Sequence, residues 1–294
     1  MRKYLFILLV LLSLAPLSLS AQKSQPRHEN GKPNRSRPLG FFDGDPLPER
    51  TVYLTFDDGP TDFTEDFLDV LKRYDVRATF FLCARWAQEN WAPNLSAFDH
   101  YVAAIQRMKA EGQCVGNHTA DHQSFLGMTS KQVRREITKN QMLIDWAIGP
   151  EQVGFSILRP PFGLPWVQTD ADCAAATAGI KGTSVVFMWT KAAYAHDSDH
   201  YVKGEWYTKA KTDQNTPEFQ VKVKEIEDRI LGLANGKSFV ALMHDTHPTT
   251  LAALPAIIEG LKARGYAFAT AEDWVIWRYG KPSAQLVNQK SEGK

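Results

Sequence analysis

The sequence predicts a parallel α/β fold, with an α/β barrel ahead of an open doubly wound sheet, and three observations carry that prediction. Short apolar runs alternate with amphipathic stretches along most of the chain, the pattern of successive βα units. Several runs are apolar at nearly every position, as strands covered on both faces are. Polar and charged groups follow these runs at their C-terminal ends. In a parallel barrel those ends share one face, and active sites are built there.

The elements follow in order. Strands are predicted over 52–56, 78–82, 114–116, 155–158, 184–188, 239–243 and 266–269, and helices over 64–72, 97–110, 130–148, 217–233 and 251–264. The helix over 130–148 opens on a capping box, Thr129-Ser130-Lys131-Gln132, and its apolar stripe Val133, Ile137, Ile144, Ile148 keeps helical spacing. The helix over 251–264 stops at Gly265 after Lys262 and Arg264, a basic last turn followed by the residue that most easily turns left-handed.

At the N-terminus, Met1-Arg2-Lys3 is basic, 4–15 is almost entirely apolar, Pro16 breaks the run, and Ser18 and Ser20 are small. This is the layout of a secretory signal, with cleavage expected near Ser20–Ala21. A bilayer span needs about 20 apolar residues, more than precede Pro16, so no stable membrane anchor is expected. Residues 1–20 are therefore read as a signal peptide, 21–49 as a linker rich in Pro, Arg, Asn, Lys and Gly, 50–280 as a single catalytic domain and 281–294 as a polar tail. The net charge of +1 offers no basic field for nucleic acid. Of the 3 cysteines, Cys83 ends one predicted strand and Cys114 begins the next. In parallel strands these positions lie at opposite ends, roughly 13 Å apart, beyond the ~7 Å that a disulfide spans. They read as small buried hydrophobes.

Four groups carry chemistry. Asp57-Asp58-Gly59-Pro60 follows the first strand, His118 the third, Arg159-Pro160-Pro161-Phe162-Gly163 the fourth, and His244-Asp245 the sixth. His118 and His122 have the His-x3-His spacing of metal ligands, and a helical turn there would put both imidazoles on one face. Asp58 can complete a two-histidine, one-carboxylate set, which suits Zn2+ and also Co2+, Ni2+ or Fe2+. The phosphotransfer signature Asp-x-Asp-Gly-Thr is excluded, because Gly59 directly follows Asp58 and position 56 is Phe56. Two neighbouring carboxylates stay ionised only with separate partners; a metal on Asp58 and a cation such as Arg159 near Asp57 would supply them. Pro160 and Pro161 lack an N–H, so Phe162 and Gly163 hold the donors this loop offers to a developing oxyanion.

TFDDGP at 55–60, HTADH at 118–122, RPPFG at 159–163 and LMH at 242–244 together resemble the motifs of the polysaccharide deacetylases of the NodB-homology type, carbohydrate esterase family four. The likeness covers about 50–275 of the chain. It implies a distorted (β/α) barrel of about seven parallel strands. It also implies that Asp57 is the base, that Asp58, His118 and His122 bind one divalent metal, that Arg159 partners Asp57, and that His244 is the acid. One family motif departs. Asp-x-x-Asp-Trp is expected shortly after Trp189, where this chain has Thr190-Lys191-Ala192-Ala193-Tyr194-Ala195-His196. Substitutes available from a longer loop are Asp197, Asp199 or the pair Glu205-Trp206; the alternative is that these carboxylates are merely solvated. Trp206 is also one of several aromatic candidates for stacking on sugar rings, with Trp86, Trp91, Tyr194, Tyr201 and Tyr207.

The resulting expectation is a metal-dependent hydrolase of N-acetyl groups on a glycan, with peptidoglycan first because an exported enzyme meets it first. A chitin-type or O-acetylated polysaccharide is the alternative substrate. A catalytically silent sugar-binding protein is the alternative class, favoured by the altered motif and opposed by the intact ligand, base and acid positions.

Overall fold

The computed structural model of the chain describes residues 36–44, 46–88, 95–149, 154–166, 170–197 and 213–287. The expected signal peptide and Trp206 lie outside these residues. Seven strands form one parallel sheet: β1 (Thr51–Asp57), β2 (Thr79–Leu82), β3 (Cys114–Asn117), β4 (Ile157–Leu158), β5 (Val185–Val186), β6 (Phe239–His244) and β7 (Ala267–Phe268). Around it run α1 (Thr64–Arg73), α2 (Leu95–Ala110), α3 (Ser130–Ile148), α4 (Asp170–Ile180), α5 (Pro217–Gly232), α6 (Pro248–Ala263), α7 (Ala271–Tyr279) and α8 (Ser283–Val287).

The strand order is β5-β4-β3-β2-β1-β6, with β7 on the start of β1. β6 takes one whole edge of β1, from Val52↔Phe239 to Asp57↔His244. The other edge is shared between β7 at 51–52 and β2 at 55–57, which is why β7 pairs over only two residues. The ends of this curled sheet are joined by the chain that leaves β5. Thr190 donates its N–H to Val240 O, Leu242 to Ala193 O, and Ala195 to Leu242 O. This is a distorted barrel rather than an open sheet with helices on two faces.

Side chains in a strand alternate between faces. Val52, Leu54 and Phe56 join Phe80, Leu82, Ala241 and Met243 in the core beneath the helices. Tyr53, Phe81, Val240 and Phe187 point to the opposite face and pack with Phe42 and Trp274. Both faces are buried, which accounts for the continuous apolar runs. Thr55 and Asp57 continue the inner row, and they are the polar residues on which the site is built.

Three helices are absent from the sequence-based reading. α4 is rich in alanine, with no clear apolar stripe; it packs on α3 because Gly179 lacks a side chain, and a Cβ there would lie 2.6 Å from Val133 Cβ. α7 is started by a reciprocal capping box between Thr270 and Asp273. α8 falls in the expected polar tail, where Ser283 is buried and donates its N–H to Glu272 Oε1. The expected linker is also partly structural: Phe42 is buried and pairs with Phe187 beside β5. Its ring stacks on Phe187 at 4.9 Å, a contact between residues so distant in the chain that composition gives no sign of it. The α3 capping box forms as predicted. All three cysteines are free and buried, with Cys114 level with Thr79 and so four residues along from Cys83. Among the described residues, no helix is long and apolar enough to cross a membrane.

Candidate active site

The four motif groups meet at the C-terminal ends of the strands. Asp57 ends β1 level with His244 of β6 and Phe81 of β2. Register partners on adjacent strands point to one face, so the base and acid candidates project together.

Arg159 follows β4 and is completely buried. Its Nη1 donates to Asp57 Oδ1 at 2.7 Å and to Thr55 Oγ1 at 2.7 Å. Thr55 and Asp57 are two apart on one strand face, so one guanidinium nitrogen reaches both. Nε and Nη2 donate to Phe187 O and Met188 O, each at 3.1 Å. Backbone carbonyls beyond β5 thus orient Arg159. The guanidinium lies 4.2 Å from the Phe81 ring centroid. Gly116 makes room for that ring, since a Cβ there would fall 2.5 Å from Phe81 Cδ1. Burial pushes the Asp57 carboxyl above its ordinary range, against the pull of Arg159.

Asp58 leaves the strand with φ 76, a left-handed conformation uncommon outside glycine. Its Oδ1 lies 3.1 Å from His122 Nε2 and 3.5 Å from His118 Nε2. His118 Nδ1 is 2.6 Å from Arg159 O; a carbonyl only accepts, so Nδ1 carries the hydrogen and Nε2 keeps a free electron pair. A helical turn at 118–122, one way to put both imidazoles on one face, does not form. Thr119 and His122 have φ 72 and φ 51, and the segment folds back as a loop. Asn117 Oδ1 receives the Thr119 N–H at 2.8 Å, Glu136 O receives that of Ala120, and Glu136 Oε2 that of Asp121. These bonds to β3 and α3, rather than helical periodicity, bring the imidazoles to 4.9 Å between ring centroids.

The ligand atoms of Asp58, His118 and His122 lie within 4.8 Å of one another. A tetrahedral ion about 2.0–2.1 Å from nitrogen and oxygen ligands holds them roughly 3.3 Å apart. The two separations from Asp58 bracket that figure, so the residues fit a divalent transition ion. Burial lowers His118 and His122 to about 4, which leaves both neutral and able to ligate near pH 7. Burial acts to raise Asp58, but His122 and His118 draw it below the usual carboxylate range.

His244 ends β6. Its Nδ1 is 2.8 Å from Asp197 Oδ1, and its backbone N donates to Asp197 Oδ2 at 2.7 Å. Thr250 Oγ1 of α6 donates to the same oxygen at 2.9 Å. Asp197 is completely buried and is not a solvated loop carboxylate. It arrives there because the segment after β5 runs parallel to β6, with Tyr194 level with Leu242, and so meets the end of the strand three residues later. Burial alone would lower His244, but the charge and hydrogen bond of Asp197, together with the Asp58 and Asp57 charges, outweigh it and raise the imidazole to about 10. Asp197 itself is held at about 2, where His244 outweighs the effect of burial.

The loop after Arg159 differs from expectation in one respect. The Gly163 N–H is bound to Pro160 O at 3.1 Å, which leaves the Phe162 N–H as this loop's candidate oxyanion donor. Phe162 has φ 59 and is 62% exposed, with its ring 4.8 Å from that of His122. Gly163 cannot be replaced easily, since a Cβ would lie 2.7 Å from Met188 Cε. Thr55 opens the motif TFDDGP, which gives it no role by itself; nothing local in the sequence marks Thr250.

A distorted parallel barrel thus carries a His-His-Asp cluster, an Asp–Arg pair and an Asp–His pair at one end, the arrangement that the resemblance to the carbohydrate esterases implies. The comparisons agree. The polysaccharide deacetylase family model matches residues 44–182. A peptidoglycan-N-acetylglucosamine deacetylase of Bacillus cereus is 32% identical over 83% of this chain and 75% of its own length. A chitin deacetylase of Colletotrichum lindemuthianum is 28% identical over 74% of this chain and 77% of its own. The crystal structure of the polysaccharide deacetylase Bc1974 from Bacillus cereus superposes with a TM-score of 0.57 at 29% identity, covering 76% of this chain and 93% of that one. The chain belongs to the polysaccharide deacetylase family.

Proposed function

We propose that this protein is a metal-dependent hydrolase that removes N-acetyl groups from an N-acetylglucosamine polysaccharide, with peptidoglycan as the first substrate. The observation that carries the reading is the convergence of three units at one end of the barrel: the cluster Asp58–His118–His122, the Arg159–Asp57 pair and the Asp197–His244 pair. Zn2+ suits the donor set best, with Co2+, Ni2+ or Fe2+ as alternatives. When bound, such an ion polarises an acyl carbonyl and lowers the pKa of water.

The protein's own groups divide the remaining work. Asp57, held by Arg159, accepts the proton of the attacking water at its second oxygen. The Phe162 N–H stabilises charge developing on the carbonyl oxygen. His244 donates its proton to the departing amine, and the products are acetate and a free glucosamine unit. Nδ1 of His244 is committed to Asp197, so the transferable proton is the one on Nε2. Asp197 supplies the carboxylate whose apparent absence favoured a silent sugar-binding protein, and that alternative loses its support. The named relatives that act on peptidoglycan and chitin support the N-acetylated glycan class. The basic and apolar N-terminus supports export to the periplasm or the exterior after cleavage near Ser20–Ala21.

The test is acetate release from peptidoglycan, chito-oligosaccharides and O-acetyl xylan, with mass spectrometry of the glycans and a chelator control. Loss of acetyl mass from N-acetylglucosamine units, abolished by chelator and restored by Zn2+, is the expected result. Binding of these glycans with acetate released from none of them would overturn the reading.

A further inference from the structure

Asp245 lies immediately after the acid candidate, is completely buried and has no part in the chemistry above. Because β1 and β6 end in register at Asp57↔His244, the segments that leave the two strands meet. Asp245 Oδ2 accepts the Thr64 hydroxyl at 2.6 Å, and its backbone O accepts the Thr61 hydroxyl at 2.8 Å. Thr64 Oγ1 in turn accepts the Thr61 N–H at 2.7 Å. The carboxyl lies directly against Gly59, where a Cβ would fall 2.3 Å from Oδ2 and 2.5 Å from Oδ1. The turn that carries Asp58 is thus enclosed from two sides. On the β2 side, Asp58 N–H donates to Phe81 O and Cys83 N–H donates to Gly59 O, each at 3.1 Å. On the β6 side stands the Asp245 carboxyl. Asp58 needs such an enclosure, since its φ of 76 is unfavourable for a residue with a Cβ.

We propose that Asp245 is a positioning residue for the metal site: its carboxyl, wedged between Gly59 and Thr64, sets the turn so that Asp58 faces His118 and His122. The role depends on shape and on an oxygen for Thr64. A neutral side chain of the same outline fills it, and a small one does not.

The inference rests on the metal reading above, and the test separates the two. Zn2+ affinity is measured by chelator competition for the wild type, Asp245→Ala, Asp245→Asn and Thr64→Val, with a melting curve for each. Removing a group that orients a ligand typically costs 10–100-fold in metal affinity, so Asp245→Ala should weaken Zn2+ binding by about that factor. Asp245→Asn should bind close to the wild type. Thr64→Val, which keeps the volume and removes the hydroxyl, should also weaken binding and serves in place of Asp245→Ala if that variant does not fold. Folded Asp245→Ala or Thr64→Val protein that holds Zn2+ as tightly as the wild type would overturn the proposal. So would Asp245→Asn failing as badly as Asp245→Ala, because charge would then be what matters. A wild type that takes up no Zn2+ would sink the metal reading and this proposal together.

Discussion

Replacing Asp197 by asparagine tests how the acid is set. Asp197 is buried and bonds both the Nδ1 and the backbone N of His244, and its charge does most to raise the imidazole to about 10. The amide in Asp197→Asn would keep the size and lose the charge. Burial, the largest single effect, would then be opposed mainly by the smaller effects of the Asp58 and Asp57 charges, and His244 should titrate near or below the ~6.5 of a free imidazole. At pH 8 the wild-type acid is almost wholly protonated. An imidazole with a pKa of ~6.5 is only about 3% protonated there, so kcat/KM of Asp197→Asn should fall roughly 30-fold. At pH 6 about three quarters of it carries the proton, and the deficit should shrink to less than about twofold. The assay is acetate release across pH 5.5–10 on one soluble oligosaccharide. A deficit of equal size at pH 6 and pH 8 would refute the reasoning, because lost geometry rather than a shifted acid would then explain it.

The same pair predicts a stability profile. His244 has a raised folded pKa, so its share is full below ~6.5 and is lost as pH rises through about 10; Asp197 has a depressed one, so its share is full above ~3.9 and is lost as pH falls toward 2. The melting-temperature gap between wild type and Asp197→Asn should therefore be widest between these limits and close at both extremes. Asp58→Asn, His118→Ala and His122→Ala should each lose most bound metal, read by elemental analysis, because each removes one of three protein ligands. Asp57→Asn should keep the metal while acetate release falls by about 10²–10⁴-fold, the worth of a general base; metal loss in that variant would reassign the two aspartates. Gly163→Ala should cost roughly 1–3 kcal/mol in a denaturant melt, since φ is 65 and the new Cβ would lie 2.8 Å from Trp189 Cη2. An unchanged midpoint would mean that the loop yields.

Much of this architecture is legible in the sequence because it depends on short-range patterns. A strand buried on both faces must be apolar throughout, so such strands mark themselves. A helix start such as Thr129–Gln132 is satisfied within four residues and needs no distant partner. The barrel face that carries the chemistry follows from where polar groups interrupt those runs, and the motifs identify Asp57, Asp58, His118, His122, Arg159 and His244 together.

What the tertiary structure alone decided is which groups complete them. Asp197 could be named only as one of several loop carboxylates, because its role depends on residues 190–195 hydrogen-bonding to β6, a pairing across some 50 residues of chain. Besides Asp57 and Thr55, the partners of Arg159 are backbone carbonyls, and every residue has a carbonyl, so sequence carries no mark of them. The fold-back of 118–122 rests on left-handed turns at Thr119 and His122 and on bonds from Thr119 to Asn117 and from Asp121 to Glu136, where spacing alone was compatible with a helical turn. Phe42 lies in the expected linker, and its stacking on Phe187 makes it part of the fold. Except for the bond from Thr119 to Asn117, the deciding contacts join residues well separated in the chain, and their energy comes from burial and hydrogen bonds that exist only once the sheet has curled and brought them together.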